Sequence, residues 1–544
     1  MINIQFINNE FQEWTKIQLE NGYIWHTKQI EKEHIKTIQT LVTFKQKLDI
    51  KLLKAFLLNI KCHFGLVITN NNIVIAATDV ARTYPLFYNY NSTTLVISSQ
   101  ATKVAENKNL KVNKNNLLSY RMSGYTTGNG TLWTGIKGLL AGQFLLLNKN
   151  LSINTYYNTL SRSKGDFNNL DYKKKLKDNI FNLLEHTINK AAGRRIVIPL
   201  SAGLDSRLIA SGLKYMGYKN VTCFSYGLKN NFEAIMAKKI ADALNFKWKF
   251  IEISQKNIKK FYKSELYLSY FAKNLDGCAT PGIQDIYPIY KLKKLKYFSD
   301  EDIIVNGNSG DFTTGGHLPI ISSTWKKTIN LKNAFNQSIN THLQKHYTLW
   351  EGLRNKKNDL IIKKLLFKQL EEYPLKLKQK IDPFILPELL EFHNRQTKFV
   401  INLQRIYDFY DIDWLLPLWN KEVIDFWKEV PLKEKINQKL YRTTLHELNL
   451  SNVWTKEYNS KQKISPQWML PLRILFKSAH VFSTKTEWHK FEKKYLNYWT
   501  DNICGYSMYK YKNIIQNNYS ARNSVAWHTL SSEEKLFKKN WQNK

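Results

Sequence analysis

The clearest pattern along the chain is a change of hydrophobic period near its centre. Ile196-Val197-Ile198-Pro199-Leu200 is apolar without alternation, which predicts a strand buried on both faces, as in a parallel sheet. After the break Ser201-Ala202-Gly203-Leu204-Asp205-Ser206, apolar residues return at helical spacing as Leu208, Ile209, Ala210 and Leu213. Such a strand–loop–helix junction leaves backbone N–H groups free at the positive helix end and favours an anion, phosphate above all. Further strands are predicted at Val221–Tyr226, Trp248–Ile253 and Ile303–Val305, with a helix from Glu233 to Leu244 between the first two. This alternation implies βαβ units and a doubly wound parallel sheet.

The region before the junction reads differently. Up to about residue 160 the chain shows short alternating or apolar runs, such as Phe64-Gly65-Leu66-Val67-Ile68 and Thr94-Leu95-Val96-Ile97, parted by polar turns like Thr69-Asn70-Asn71. A charged amphipathic helix from Leu170 to Lys190 closes it, and from about Thr324 onward the pattern is helical and rich in aromatics. With 544 residues, two domains are expected, 1–165 and 170–544.

Composition adds exclusions. The 43% apolar and 13% aromatic shares support large folded cores. The formal charge is +37, yet only 12 of the 81 basic residues are Arg, and Lys is spread over the whole chain. That spread matches codon usage in an AT-rich genome better than a patterned polyanion site. Cys62, Cys223, Cys278 and Cys504 form no CxxC pair, which disfavours a zinc site or a disulfide framework. No signal-peptide pattern opens the sequence and no run reaches the ~18 apolar residues of a membrane span, so a cytoplasmic protein is expected.

The loop Ser201–Ser206 lacks the GxxxxGK[ST] spacing of a Walker A loop. It resembles the SGGxDS pyrophosphate loop of the PP-loop ATP pyrophosphatases, with Ala202 in place of the second residue. A second constellation, Asn306-Gly307-Asn308-Ser309-Gly310-Asp311-Phe312, follows the apolar strand ending at Val305, where glycines allow a tight loop over a ligand. Asp205 and Asp311 are candidates to hold Mg²⁺ against phosphates. Together the two loops resemble those of the asparagine synthetase family. Phe224-Ser225-Tyr226-Gly227 is similar to that family's strand beside the adenine, and Leu416-Pro417-Leu418, Val430-Pro431 and Lys439-Leu440-Tyr441-Arg442 resemble later landmarks. In the first domain, Asp79 to Tyr88, Ser98-Ser99-Gln100 and Ala141-Gly142-Gln143 resemble its glutaminase-like domain.

The resemblance implies an α/β multidomain protein: an N-terminal nucleophile (Ntn) hydrolase-like αββα sandwich, then a PP-loop doubly wound parallel sheet with a helical C-terminal part. It implies an asparagine synthase-like carbon–nitrogen ligase in which Mg-ATP adenylates a carboxylate and ammonia or an amine displaces AMP. The carboxylate would be aspartate, a sugar acid or a natural-product precursor. ATP and Mg²⁺ are the implied cofactors. Leu200, Ser201, Gly203, Leu204, Asp205, Ser206, Tyr226, Asn306 and Gly307 would contact the nucleotide, and Asp205 and Asp311 the metal. Lys461 and Asn308 take the positions of catalytic groups. Asn308 stands where the family carries Glu, and an amide offers no base. Arg207 either adds a phosphate contact or is an exposed helix residue.

Glutamine-hydrolysing members begin Met-Cys-Gly, whereas this chain begins Met1-Ile2-Asn3, so a scaffold without glutaminase activity is expected, as in the β-lactam synthetase-like members. Two alternatives are a PP-loop tRNA-modifying enzyme and a catalytically dead scaffold. The expected partners are a small-molecule carboxylate and ammonia or an amine, with no membrane and no nucleic acid; a homodimer stays open.

Overall fold

The structure, a computed structural model, describes residues 3–8, 12–43, 48–70, 73–106, 110–158, 169–318, 331–349, 351–373, 385–458, 467–500 and 510–516. In the N-terminal part, the strands are β1 (Asn3–Ile7), β2 (Trp14–Leu19), β3 (Gly22–Thr27), β4 (Gly65–Asn70), β5 (Ile73–Thr78), β6 (Phe87–Tyr90), β7 (Thr94–Ser98), β8 (Lys137–Gly138), β9 (Gln143–Asn148) and β10 (Asn150–Thr155). They form a six-stranded sheet, β10-β9-β5-β4-β3-β2, and a four-stranded one, β1-β7-β6-β8.

The period of two along these strands explains the layering. Val67, Val74, Ala76 and Leu145 of the larger sheet meet Leu86, Leu95 and Ile97 of the smaller in one core. Their neighbours Ile68, Ile75 and Phe144 turn the other way and share a core with helices α1 (Lys32–Thr43) and α2 (Ile50–Asn59). Phe87 and Val96 likewise turn outward to α3 (Ala101–Glu106) and α4 (Lys114–Ser123). The result is an αββα sandwich. The β-rich reading of this region missed these helices. In α1 the residues Ile35, Thr37, Ile38, Thr40 and Val42 are β-branched and favour strand, but the burial of Ile35, Ile38 and Val42 on the sheet overrides that preference.

Residues 159–168, where the expected domain boundary falls, lie outside the described residues. Beyond them come α5 (Asn169–Ala191), β11 (Ile196–Pro199), α6 (Leu204–Tyr215), β12 (Val221–Gly227), α7 (Phe232–Ala243), β13 (Lys247–Glu252), β14 (Ile303–Val305) and β15 (Asp413–Leu415). All pair in parallel in the order β13-β12-β11-β14-β15. The unbroken apolar strands are covered on both faces, as a doubly wound sheet requires. Ile196, Ile198 and Val305 pack with Leu184, Leu208 and Ile240 of the helices on one side, while Val197 and Ile304 pack with Tyr287 and Ile289 on the other. After β11 the chain adds strands first to one side and then, from β14, to the other. The carboxyl ends of β11 and β14 therefore flank a topological switch point, where ligands bind in such sheets.

The two parts are joined by buried cations. Arg82 donates from Nε to the Leu139 carbonyl (2.8 Å) and from Nη1 to that of Thr397 (3.2 Å). Lys398 donates to the carbonyls of Thr126 (2.7 Å) and Gly128 (2.5 Å). Burial, with Arg82 nearby, pulls its ammonium down to about 8. Thr397 and Lys398 belong to a π-helix, Phe392–Val400, a rare form associated with functional sites. Arg82→Met leaves two buried carbonyls without their donor and is expected to cost about 2–3 kcal/mol of stability, read as a lower urea midpoint.

Candidate active site

Two loops meet at the switch point. In the first, Leu200 donates its N–H to the Phe224 carbonyl (2.8 Å), fixing the end of β11 beside β12. The Ser206 Oγ accepts the Ser201 N–H (3.0 Å) and lies 3.1 Å from the Ser201 Oγ, which in turn accepts the Gly203 N–H (3.1 Å). The loop is thus folded on its own hydroxyls at the N-terminus of α6, with Gly203 exposed to the cleft. In the second loop, the Asn306 Oδ1 accepts the Asn308 N–H (3.1 Å), a turn that precedes Ser309 in left-handed conformation.

The loops touch only because two positions lack side chains. A Cβ on Gly307 would lie 2.7 Å from the Asp205 Cβ, and one on Gly310 would lie 2.5 Å from the Asp205 Cγ. Between the loops is a cleft of ≈ 200 Å³ bordered by Leu200, Ser201, Gly203, Asp205, Ser206, Tyr226, Gln284, Asp285, Asn306, Gly307 and Asn308. Leu204 is not among these residues; its side chain packs on the core of the parallel sheet. Lys461 lies outside the described residues, which end at Tyr458 and resume at 467.

Burial and the neighbouring Asp311 carboxylate push the Asp205 carboxyl up to about 7, against hydrogen bonds from Tyr441 and the Asp311 backbone. The Tyr441 hydroxyl donates to Asp205 Oδ1 at 3.0 Å. Burial works against the ionised form of Asp311 as well, but His317 and the more distant Arg395 hold its carboxyl below the usual range. Two crowded carboxylates, one with raised proton affinity, form a place a divalent cation would relieve. No cluster of three or more His, Cys, Asp or Glu suited to a metal occurs among the described residues. Asp205 and Asp311 would supply only two ligands to a Mg²⁺, the rest having to come from phosphate oxygens and water, and Asp311 itself does not line the cleft.

Behind Asp311 runs a network absent from the sequence reading. The His317 Nε2 lies 3.0 Å from Asp311 Oδ2 and its Nδ1 bonds Glu391, which also meets His346 (3.0 Å), Lys345 (3.0 Å) and Gln396 (3.2 Å). Burial disfavours charge on both His317 and Glu391. Even so, the two carboxylates raise His317, and His346 with His317 keeps Glu391 well below its ordinary range. Gln396 also accepts from Ser309 Oγ (3.0 Å), so the π-helix braces the second loop. Across the cleft, Asp285 accepts from the hydroxyls of Tyr226 (2.5 Å) and Tyr407 (2.7 Å), and burial leaves it above the usual carboxylate range. The Nδ2 of Asn308, on the cleft wall, is buried without a hydrogen-bond partner.

Arg207 corrects both readings offered for it. It is neither exposed nor turned to the phosphate loop's ligand face. It is 2% exposed, donates to the carbonyls of Ala202 (2.8 Å) and Tyr458 (2.9 Å), and stacks on Trp454 at 5.1 Å. Burial lowers its guanidinium to about 10. Position after the motif hinted at Arg207, and Tyr441 lay within a noted landmark. His317, Glu391 and Tyr407 had no local signal, because their partners are far away in sequence.

Residues 179–453 match the asparagine synthase family. No curated protein sequence matches. Among solved structures, an NH3-dependent NAD synthetase from Campylobacter jejuni in complex with nitrate is 16% identical, covers 39% of this chain and 100% of its own, and superposes with a TM-score of 0.20. A glutamine phosphoribosylpyrophosphate amidotransferase from B. subtilis, complexed with ADP and GMP, is 12% identical over 56% of this chain and 59% of its own, with a TM-score of 0.15. At such TM-scores neither neighbour bears on the chemistry.

Two outcomes are expected from this geometry. Arg207→Met should weaken ATP binding by about tenfold in calorimetry by releasing the loop, and Arg207→Lys should restore it only in part, since an ammonium lacks the planar guanidinium that stacks on Trp454. Because Asp205 binds its proton more tightly folded than unfolded, it detracts from stability increasingly as pH rises from about 4 to about 7. Asp205→Asn should therefore raise the urea midpoint at pH 8, with the gain fading toward pH 4.

Proposed function

The chain belongs to the asparagine synthase family, and from that premise we propose an ATP-dependent ligase that adenylates a carboxylate and then forms an amide with ammonia or an amine. The observation that carries this reading is the meeting of the hydroxyl-folded loop Ser201–Ser206 with Asp205 and Asp311 at the switch point. In the first step a carboxylate oxygen attacks the α-phosphorus of ATP, and the bond to pyrophosphate breaks. In the second, nitrogen attacks the acyl carbon and AMP leaves with the carboxylate oxygen.

Each half of the cleft suits one part of this chemistry. The Ser201 and Ser206 hydroxyls, the Gly203 N–H and the start of α6 would bind pyrophosphate. Tyr226, the Leu200 backbone and Asn306-Gly307 border the place for the nucleoside. A Mg²⁺ on Asp205 and Asp311 would neutralise charge on the departing pyrophosphate. The unpartnered Asn308 amide is a donor for an oxygen of the carboxylate or of the reacting acyl group. Gln284 and Asp285, opposite the phosphate loop, would face the acid being activated. Lys461 is proposed to steady the charge built up in both steps.

The N-terminal sandwich is proposed to be a scaffold. Its described cysteine, Cys62, has a thiol pushed up to about 12 by burial, the opposite of an activated nucleophile. Ammonia or an amine, and not glutamine, would then supply nitrogen.

The test is ATP–pyrophosphate exchange with Mg²⁺ over a panel of aspartate, sugar acids and natural-product precursors. Exchange dependent on one acid and abolished in Asp205→Ala is expected. Absence of both exchange and calorimetric ATP binding would overturn the assignment.

A further inference from the structure

The helix Met469–Ala479 is turned inside out relative to an ordinary surface helix. Its inward side is the polar one. Arg473 Nε bonds Glu492 (2.5 Å), its guanidinium lies 5.5 Å from the Trp488 ring, and His480 lies 4.6 Å from Phe491. Met469 joins the small core with Trp488 and Leu496, and Phe476 packs on Phe491 beside it at 5.3 Å between ring centroids; this core is separate from those of the parallel sheet and the sandwich. The outward side exposes most of the helix's apolar residues, with Lys477 and Ser478 among them. Leu470, Leu472, Ile474 and Leu475 are between 41 and 63% exposed. The turn that follows exposes Val481 by 69% and Phe482 completely. A contiguous apolar surface of this kind marks a place of interaction.

Its surroundings identify the partner. The segment from Lys477 to Lys494 carries Lys477, Lys485, Lys490, Lys493 and Lys494 against Glu487 and the Glu492 already bonded to Arg473. At one flank Trp468 and Trp499 pair edge-to-face, ring centroids 5.7 Å apart and both exposed. Apolar Leu, Ile, Phe and Trp accompanied by lysines is the pattern of a helix lying in a membrane interface, with indoles at headgroup level. A second copy would bring the same lysines against these and, at +37 per chain, meet electrostatic repulsion. An anionic bilayer supplies hydrocarbon for the patch and negative charge for the lysines. No helix among the described residues is long and apolar enough to cross a membrane, so the contact would lie in the surface plane.

We propose that residues 468–482 are a docking surface for an anionic membrane. The outward face of the helix and the Val481–Phe482 turn enter the headgroup region, and the lysines of this segment rest on acidic headgroups. This departs from the expectation of no membrane partner. Over the whole chain the lysines carry no pattern, but five fall between Lys477 and Lys494, in and just after the segment that exposes the apolar residues. The inference is independent of the proposed catalytic activity.

The test is co-sedimentation of the full chain with phosphatidylcholine vesicles, with and without about one third phosphatidylglycerol. Binding should be roughly tenfold stronger to the anionic vesicles and fall roughly tenfold in the double variant Leu475→Glu, Phe482→Glu. Should glutamate at 475 disturb the helix, Val481→Ser with Phe482→Ser at the exposed turn tests the same contact. Equal binding by wild type and both variants would assign the affinity to dispersed lysines and overturn the proposal. So would a dimer in sedimentation velocity that these variants dissociate, without vesicle binding by the wild type.

Discussion

The pairing of β11 with β14, Ile196 beside Ile303 and Val197 beside Ile304, is the contact on which the site depends. About a hundred residues separate these strands in the chain, and parallel strands need long connections of this kind. Once paired, their carboxyl ends release two loops side by side at the point where the strand order reverses. The approach is close enough that Gly307 and Gly310 must lie against Asp205 without side chains. Asp205 and Asp311, distant in sequence, become one pair of crowded carboxylates.

Around this contact, buried charges hold the protein's parts in place. Removing a guanidinium or carboxylate from water is costly unless its hydrogen bonds are satisfied. Arg207 meets that condition in part, donating to the carbonyls of Ala202 and Tyr458 and so tying the Ser201–Ser206 loop to the segment that leads toward Lys461, while its buried Nε has no partner among the described residues. Glu391 meets it with two histidines, Lys345 and Gln396, and through His317 orders the base of Asp311. The π-helix Phe392–Val400 presents Gln396 to the second loop and Thr397 and Lys398 to the sandwich. A single segment thus couples the N-terminal part to the cleft.

The legible parts were those set by local pattern. An unbroken aliphatic strand, two hydroxyls, a carboxylate and a resumed helical period marked β11, the loop and α6. The β-branched helix α1 misled because strand propensity and burial on a sheet act on the same residues in opposite senses. The strand β15, Asp413–Leu415, passed unnoticed because, unlike the equally short aliphatic β14, it opens on a charged Asp and owes its state to β14 beside it.

The sequence by itself determined the strand–loop–helix junction at Ser201–Ser206, the family resemblance and the two fold types, since each rests on short-range order: the spacing of apolar residues and of groups on adjacent backbone positions. Tertiary structure alone decided which groups Arg207, Asn308, His317 and Glu391 face, and that Leu470, Leu472, Ile474 and Leu475 of the helix Met469–Ala479 are left exposed. Those outcomes depend on which surfaces the long connections bring together and which they leave bare. Desolvation and pairing of charge arise only once such distant residues meet.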